Sequence, residues 1–571
     1  MNYFETKPHR ETGVIVDTYA KLKALRKKLM KVEEFAFDTE TNTLRVLGEN
    51  KDFKLVGISI SWGDYHNYYI PVGHSRLEDV DRQLPLEDVV AALKEPFERT
   101  DVRIICANAK FDFHVMANVG INICTKDIFD VVIASWILDE NTPNGLKDNT
   151  VKFLKIPQTH FAEVVNNVPK EVKKSFGLKA TQKATIDLAL IDEAAPYAID
   201  DAYYTWKLYL GFMPYLEAEE MNKIYFKIYM PFVYTLYRME RQGITIDIEK
   251  LKVLQHDIKE DIANLEYELT ELAGVKINFG SSKQLALLLF GSSLTKVTKD
   301  ELLEKDPDLI YKLLGKYNHL PKVERDEKIS KDLQDMVDEQ NKKYEDEKDF
   351  EAKYSFKFKV IEKTSKGAPA TGSSVLWKLS KLDFKTKRKR EGVEFVKTLM
   401  QYKALQKLDS AFIEGLTEQL YDDNKVHPNF KIIGTTSGRL SCSNPNIQQL
   451  PKADEGDKYA IRSLFIGSEY VADSEGNYIC DYTPDVLLRK GQEVKRKMII
   501  ANDYSNLELR VLAHFSSDQR LINMFKSGAD AHGDTAVNMF ELDCTPDEAK
   551  KKYPHLRQAA KTINFIDHEV A

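Results

Sequence analysis

Asp38 and Glu40 stand two residues apart, directly after the apolar run Phe35-Ala-Phe37. In extended backbone, side chains at i and i+2 leave the same face. Two carboxylates would then sit side by side at a strand end. That is costly unless cations neutralise them, and hard oxygen ligands so placed suit Mg²⁺ or Mn²⁺. Asp-x-Glu is a common pattern, and by itself it reads as two exposed loop acids. Two further sites strengthen it. Asp112 closes Asn108-Ala-Lys-Phe-Asp112, shortly after the strand-like run Val102 to Cys106. Tyr197 and Asp201, at i and i+4, share one face of a helix.

A second set lies near the other end. Asp503 follows the apolar run Met498-Ile-Ile-Ala501 and leads into Tyr-Ser-Asn-Leu-Glu508. A carboxylate there could hold a metal or equally cap a helix. Arg557, Lys561 and Phe565 form one helical stripe at i, i+4 and i+8. A solvated basic face accounts for the two cations but not for the phenylalanine. Asn444-Pro-Asn446 reads locally as a turn. Lys385-Thr-Lys-Arg-Lys-Arg390 is either a solvated charge run or a helix end facing phosphates.

These residues need elements to hold them. Over residues 34–215, strand-like runs (Phe35 and Phe37, Leu55 to Ile60, Val102 to Cys106) alternate with helical spacing at 127–140, 148–155 and 193–211. This is an α/β pattern. Ahead of it, Leu22, Leu25 and Leu29 recur at helical spacing within a basic stretch and predict a surface helix with a solvated basic face. Residues 216–420 read as mostly helical. Within them, 298–360 is so dense in Lys, Glu and Asp that a solvated helical insertion with mobile parts is predicted. From 430 onward strands mix with helices: a short strand at Met498 to Ala501, a helix from Leu507, and another from Asp547 to Phe565.

The 571 residues amount to roughly three or four domains' worth of chain. With 43% hydrophobic and 30% charged residues, the composition is globular, not disordered. The best apolar run, Val131 to Leu138, falls far short of the roughly 18 residues a membrane span needs. The polar, charged N-terminus is no secretory signal. Five scattered cysteines without a CxxC argue against a disulfide framework or a zinc ribbon and fit a reducing cytoplasm. The net charge of −7 does not exclude nucleic acid, because phosphate binding needs only a local basic surface.

Taken in order, Phe35-Ala-Phe-Asp-Thr-Glu-Thr41, Asn108-Ala-Lys-Phe-Asp112 and Tyr197-x-x-x-Asp201 resemble the three motifs of the 3′–5′ proofreading exonuclease of family A (polymerase I-like) DNA polymerases. Phe129 to Leu138 and Gly145-Leu-Lys147 resemble the same domain. Asp503-Tyr-Ser-x-x-Glu-Leu-Arg-Val-Leu-Ala-His514 closely resembles that family's first palm motif. The run from Thr436 to Pro451 resembles the segment touching the primer–template minor groove, and Arg557 to Phe565 the start of the fingers motif. Met239 to Asp247, Ser281 to Leu285 and Gly367 to Ala370 match as well. The resemblance covers about residues 15–565 and departs at 298–360 and 466–497.

The resemblance implies an α/β chain: a ribonuclease H-like 3′–5′ exonuclease domain followed by a partial right-hand polymerase domain. The expected boundaries are 1–30 for a leader helix, 31–215 for the exonuclease, 216–430 for a helical thumb region, 431–520 for a partial palm, and 521–571 for the start of the fingers. It implies that Asp38, Glu40, Asp112 and Asp201 hold two Mg²⁺ or Mn²⁺ ions, that Tyr197 orients the water or the scissile phosphate, and that Asp130 supports them. Asp503 would bind the polymerase metals, and Glu508 would sit where a ribose 2′-hydroxyl would lie; Asn506 replaces the usual Gln between them. His532, Arg557 and Lys561 would hold the incoming deoxynucleoside triphosphate, with Phe565 stacking on it. Arg439, Asn446 and Gln448 would touch primer–template DNA through minor-groove acceptors that are nearly sequence-independent.

In the family, a glycine and a Tyr-Gly pair follow the Phe; here Phe565 is followed by Ile566-Asp-His-Glu-Val-Ala571, and no second palm carboxylate motif is found. The expectation is a replicative DNA polymerase chain, viral or bacterial, with an intact proofreading exonuclease acting on single-stranded DNA 3′ ends. Synthesis would need a separately encoded C-terminal fragment, as from a split gene, an intron read-through or a frameshift. The alternative is a stand-alone 3′–5′ exonuclease whose polymerase remnant grips the substrate. A non-enzymatic DNA-binding module fits poorly with intact carboxylates. The expected location is the cytoplasm of a bacterium or of a virus-infected host cell, away from membrane.

Overall fold

The run Phe35-Ala-Phe37 is buried completely because its strand lies inside a sheet covered on both faces. The strands are β1 (Val14–Ile15), β2 (Glu34–Thr41), β3 (Leu55–Ser61), β4 (Asn67–Pro71), β5 (Arg103–Cys106) and β6 (Ile128–Asp130). They form one sheet in the order β1-β4-β3-β2-β5-β6. β3 runs antiparallel to both β2 and β4, whereas β1 is parallel to β4, and β5 is parallel to β2 and β6. This computed structural model describes residues 3–8, 13–48, 50–451, 458–481, 486 and 488–569.

The helix Ile191–Ala218 packs on β2 to β5. The helix Tyr19–Leu29 buries Leu22, Leu25 and Leu29 in the same core as Phe35 and Ile104, and leaves its basic residues outward as expected. The spacing at 127–140 predicts one helix, but its first residues are strand β6 and the helix is Val131–Leu138. The reason is Asp130, whose carboxylate accepts the N–H groups of Val132 and Ile133 and so fixes the helix start.

Downstream, the helices Ile248–Ala273, Ser282–Phe290 and Lys387–Leu408 enclose Phe279, Leu288, Phe356, Phe395 and Leu399. Arg388, inside the basic run, is committed to structure. Its guanidinium donates to the carbonyls of Leu272, Ala273 and Tyr354, and it lies over the Phe356 ring. The charged insertion is helical, as expected: Lys299–Lys305, Leu309–Lys316 and Lys322–Tyr354 close on a small core of Leu302, Leu313, Ile329, Leu333 and Val337. Phe465–Ile466, Ile244–Ile246 and Lys425–Val426 form a short antiparallel sheet, and Asn429–Lys431 pairs with Ser441–Ser443. The departing segment near 466–497 carries a small antiparallel sheet of its own, Tyr478–Asp481, Glu469–Ala472 and Glu493–Arg496.

Met1–Lys497 forms one unit and Met498–Ala571 a second. In the second, the expected strand at Met498 to Ala501 is exposed irregular backbone. An apolar run becomes a strand only where a neighbouring strand takes its N–H and C=O groups, and among the described residues no strand pairs with this one. The expected helix from Asp547 to Phe565 is two helices, Pro546–Lys552 and Pro554–Glu569. Pro554 lacks an N–H and drives Tyr553 out of the helical region (φ −135°), so the first helix stops before it. Among the described residues, no helix is long and apolar enough to cross a membrane, and the five cysteines are unpaired.

Candidate active site

Asp38 and Glu40 extend from β2 across from Ser59 and Gly57 on β3, and Ser59 in turn pairs with Tyr69 on β4. Directly paired residues share a sheet face. The close approach demands glycine at 57: a Cβ there would lie 2.2 Å from the Tyr69 hydroxyl oxygen. Tyr69 is pinned in turn. Its hydroxyl donates to His74 Nε2 (2.8 Å), and His74 Nδ1 donates to the Ala189 carbonyl (3.0 Å).

Asp112 lies in the first turn of the helix Ala109–Asn118, which starts through Asn108 at φ 71°. Asparagine tolerates this left-handed backbone better than most residues. The Asp130 carboxylate holds the turn by accepting the N–H groups of Asn108 (3.2 Å) and Ala109 (2.8 Å), besides capping the helix that follows β6. Asp112 Oδ1 accepts the Thr39 N–H (3.1 Å) and hydroxyl (2.6 Å), which ties it to β2 between Asp38 and Glu40. Asp201 and Tyr197 come one turn apart from the helix Ile191–Ala218, and the Tyr197 hydroxyl is near enough to the Asp201 carboxylate to pull its pKa down.

One oxygen from each of Asp38, Glu40 and Asp201 lies within 4.8 Å of the others. Burial, with Asp112, Glu40 and Asp201 close by, holds the Asp38 carboxyl well above its ordinary range. Burial and Asp201 lift Glu40 to about 8. Burial outweighs the Thr39 hydrogen bonds and lifts Asp112 to about 8. Asp201 rises to about 6 through burial, opposed by Lys147, whose Nζ is 3.6 Å away. Glu40 Oε1 is buried and has no hydrogen-bond partner. Crowded like charges, hard oxygen donors and an open buried acceptor together fit a divalent cation.

Sequence reasoning missed several residues here. Lys147 ends the matching run Gly145-Leu-Lys147, but nothing in its spacing gave it a role. Gln158, whose Nε2 donates to Asp201 Oδ1 (3.3 Å), left no signal in the sequence. Behind the site, Glu240 is 1% exposed and collects Lys110, His114 Nε2 (2.8 Å) and the Phe430 N–H (2.6 Å). Lys110 and His114 flank Asp112 on one helix, so this carboxylate joins that helix to the strand Asn429–Lys431. Burial, together with the adjacent Lys110, pushes His114 down to about 4 against the pull of Glu240.

Of the residues expected to contact DNA, Arg439 and Gln448 are exposed, and Asn446 caps the turn Ile447–Gln449 by accepting the Gln448 N–H (3.2 Å). In the second unit, Asp503 and Glu508 are exposed, and Asn506, not Asp503, occupies the N-cap position of the helix Leu507–Ser516, without a side-chain capping bond. Among the described residues, Asp503 joins no group of three potential ligands. His532 is buried, with Arg557 and Lys561 near enough to depress its pKa along with burial. Arg557 makes a two-pronged pair with Asp530 (2.5 and 2.9 Å). Phe565 belongs to the helix Pro554–Glu569, but its side chain lies outside the described residues.

A family model described as 3′–5′ exonuclease matches residues 14–217, and one described as DNA polymerase family A matches residues 324–566. The chain is 27% identical to DNA polymerase I of Pseudomonas aeruginosa over 547 residues, covering 94% of this chain and 46% of that protein. It is 28% identical to DNA polymerase I of Chloroflexus aurantiacus over 569 residues, covering 98% and 47%. It thus spans just under half the length of these relatives. The POL domain of Pol1 from M. smegmatis, solved with DNA primer-template and dNTP, shares the fold with a TM-score of 0.61 at 19% identity, over 97% of this chain and 70% of that one. The fold is a ribonuclease H-like exonuclease domain joined to a polymerase-type domain. The two matching models and the DNA polymerase I relatives support a family A, polymerase I-like protein.

Proposed function

We propose that the chain is a DNA-directed DNA polymerase with a 3′–5′ proofreading exonuclease, acting in DNA replication. The observation that carries the nuclease part is the Asp38–Glu40–Asp201 cluster, with Glu40 Oε1 buried and open and Asp112 tied to Thr39 beside it. Asp38, Glu40, Asp112 and Asp201 would hold two Mg²⁺ or Mn²⁺ ions. Bound there, the ions supply activation of the attacking water and stabilisation of the leaving 3′ oxygen. Tyr197, one helical turn before Asp201, orients the water or the scissile phosphate.

For synthesis, Asp503 would hold metal, Glu508 would screen the sugar, and His532, Arg557, Lys561 and Phe565 would bind the incoming deoxynucleoside triphosphate. Arg439, Asn446 and Gln448 contact primer–template DNA. The match at residues 324–566 and the fold shared with a polymerase solved on DNA support this reading. We assign 31–215 to the nuclease, 216–430 to the thumb region, 431–520 to the palm and 521–571 to the fingers, with 1–30 as a leader. The chain would act in the cytoplasm of a bacterium or an infected host cell.

The test is hydrolysis of 3′-ended single-stranded DNA by the purified chain with Mg²⁺ or Mn²⁺. Asp38→Ala with Glu40→Ala should abolish cleavage and leave the circular dichroism spectrum unchanged. An undiminished rate in that double variant refutes the nuclease assignment.

A further inference from the structure

The turn Leu146–Asn149 aims Lys147 back at the carboxylates. Its side chain is only 24% exposed, and Nζ lies 3.6 Å from Asp201 Oδ1. The same ammonium sits 4.2 Å from the centre of the Tyr197 ring and donates to the Thr159 carbonyl at 2.5 Å. Gln158, adjacent in sequence, reaches the same Asp201 oxygen with Nε2 while its Oε1 is buried with no hydrogen-bond partner. Lys147 and Gln158 also line a cleft of about 530 Å³ with Pro143, Val151, Lys152 and His160. A lysine with no site role keeps its charged head in water. This one turns it onto a ring, a carboxylate and a carbonyl at once.

We propose that Lys147 is a positioning residue of the nuclease site: its ammonium holds Asp201 and Tyr197 in place and supplies positive charge at the cluster, which favours turnover and weakens the hold on divalent ions. This rests on the nuclease reading of the cluster. The two effects separate by experiment. An ammonium beside the ligands repels an arriving cation, so removing it tightens metal binding. The same removal frees Asp201 and Tyr197 to drift, and misplacement of groups at a reacting centre slows the chemical step.

The experiment uses the full chain with Lys147→Met and Lys147→Arg, reading Mn²⁺ binding by electron paramagnetic resonance of the free ion and single-stranded DNA hydrolysis by steady-state kinetics. Lys147→Met should lower kcat by about 10–100-fold. Its KM should move less than about threefold, because the loss falls on turnover and not on substrate binding. Its Mn²⁺ dissociation constant should drop several-fold, and Lys147→Arg should restore most of kcat. If Lys147→Met does not fold, Lys147→Gln replaces it with the same expected split. Mn²⁺ binding that weakens or stays the same, or a kcat within about twofold of the parent, overturns the proposal. If the parent cleaves DNA and loses Mn²⁺ with Asp38→Ala and Glu40→Ala, such a result sinks the Lys147 role alone. A parent that neither binds Mn²⁺ nor cleaves sinks the nuclease reading itself.

Discussion

Glu40 and Asp112 each titrate near 8 in the folded chain, whereas an unfolded carboxyl titrates near about 4. Between those values the folded state binds more protons, so metal-free stability must fall as pH rises through that window. The melting temperature of the metal-free protein should therefore drop between about pH 5 and pH 8. Saturating Mg²⁺ should raise it and flatten the slope, and Glu40→Gln should shrink the slope without metal. Differential scanning calorimetry at fixed ionic strength decides; a metal-free melting temperature that climbs over this range contradicts the electrostatic picture. These carboxylates were legible in the sequence because their spacings obey strand and helix periods: Asp38 with Glu40 on β2, Tyr197 with Asp201 on one helix. Lys147 and Gln158 were not, because their reach to Asp201 depends on how a loop between helices is laid down, and no local period encodes that.

At the scale of elements, Glu240 has the largest stake. It is buried, takes donors from the helix Ala109–Asn118 and the strand Asn429–Lys431, and its own carbonyl binds His427 Nδ1 (2.6 Å). Removing one member of a buried charged pair leaves the other uncompensated, at a cost of about 3–5 kcal/mol. Glu240→Ala should lose stability on that order in urea unfolding, whereas an exposed acid such as Glu249 should show almost no effect. A change below about 1 kcal/mol at Glu240 would mean that water reaches this cluster. The sequence offered Glu240 only as part of a matching run and gave no sign of its partners. Element type was easier to read where a pattern was long, as at 193–211. It failed at Met498 to Ala501, where strand-like residues lack a neighbour, and at Asp547 to Phe565, where helical spacing continues straight through Pro554.

For the whole chain, net charge says little about DNA, and the acids of the cluster are part of the reason. Binding to primer–template DNA should weaken steadily as salt rises, because backbone contacts release counterions. Arg439→Ala should reduce affinity for duplex ends several-fold while single-stranded binding changes little. Fluorescence anisotropy at two or more salt concentrations measures both. Equal binding of duplex and single strand, unaltered by the substitution, would remove support for the primer–template role of the Thr436 to Pro451 segment. The two-part architecture was readable from sequence because each part carries its own dense motifs. The internal sheet at 469–496 was not, since its strands are short and, among the described residues, pair with one another alone.

Gly57 carries no charge and no proton, and a catalogue of reactive groups would omit it. Its lack of a side chain nevertheless lets the Tyr69 hydroxyl sit beside the backbone opposite Glu40. In genetic terms, a mutator allele need not touch an acidic codon. A single-base change from glycine to alanine at this position would force tyrosine and ladder apart, and, on the proofreading role proposed for the cluster, its effect would surface as error accumulated over generations of copying.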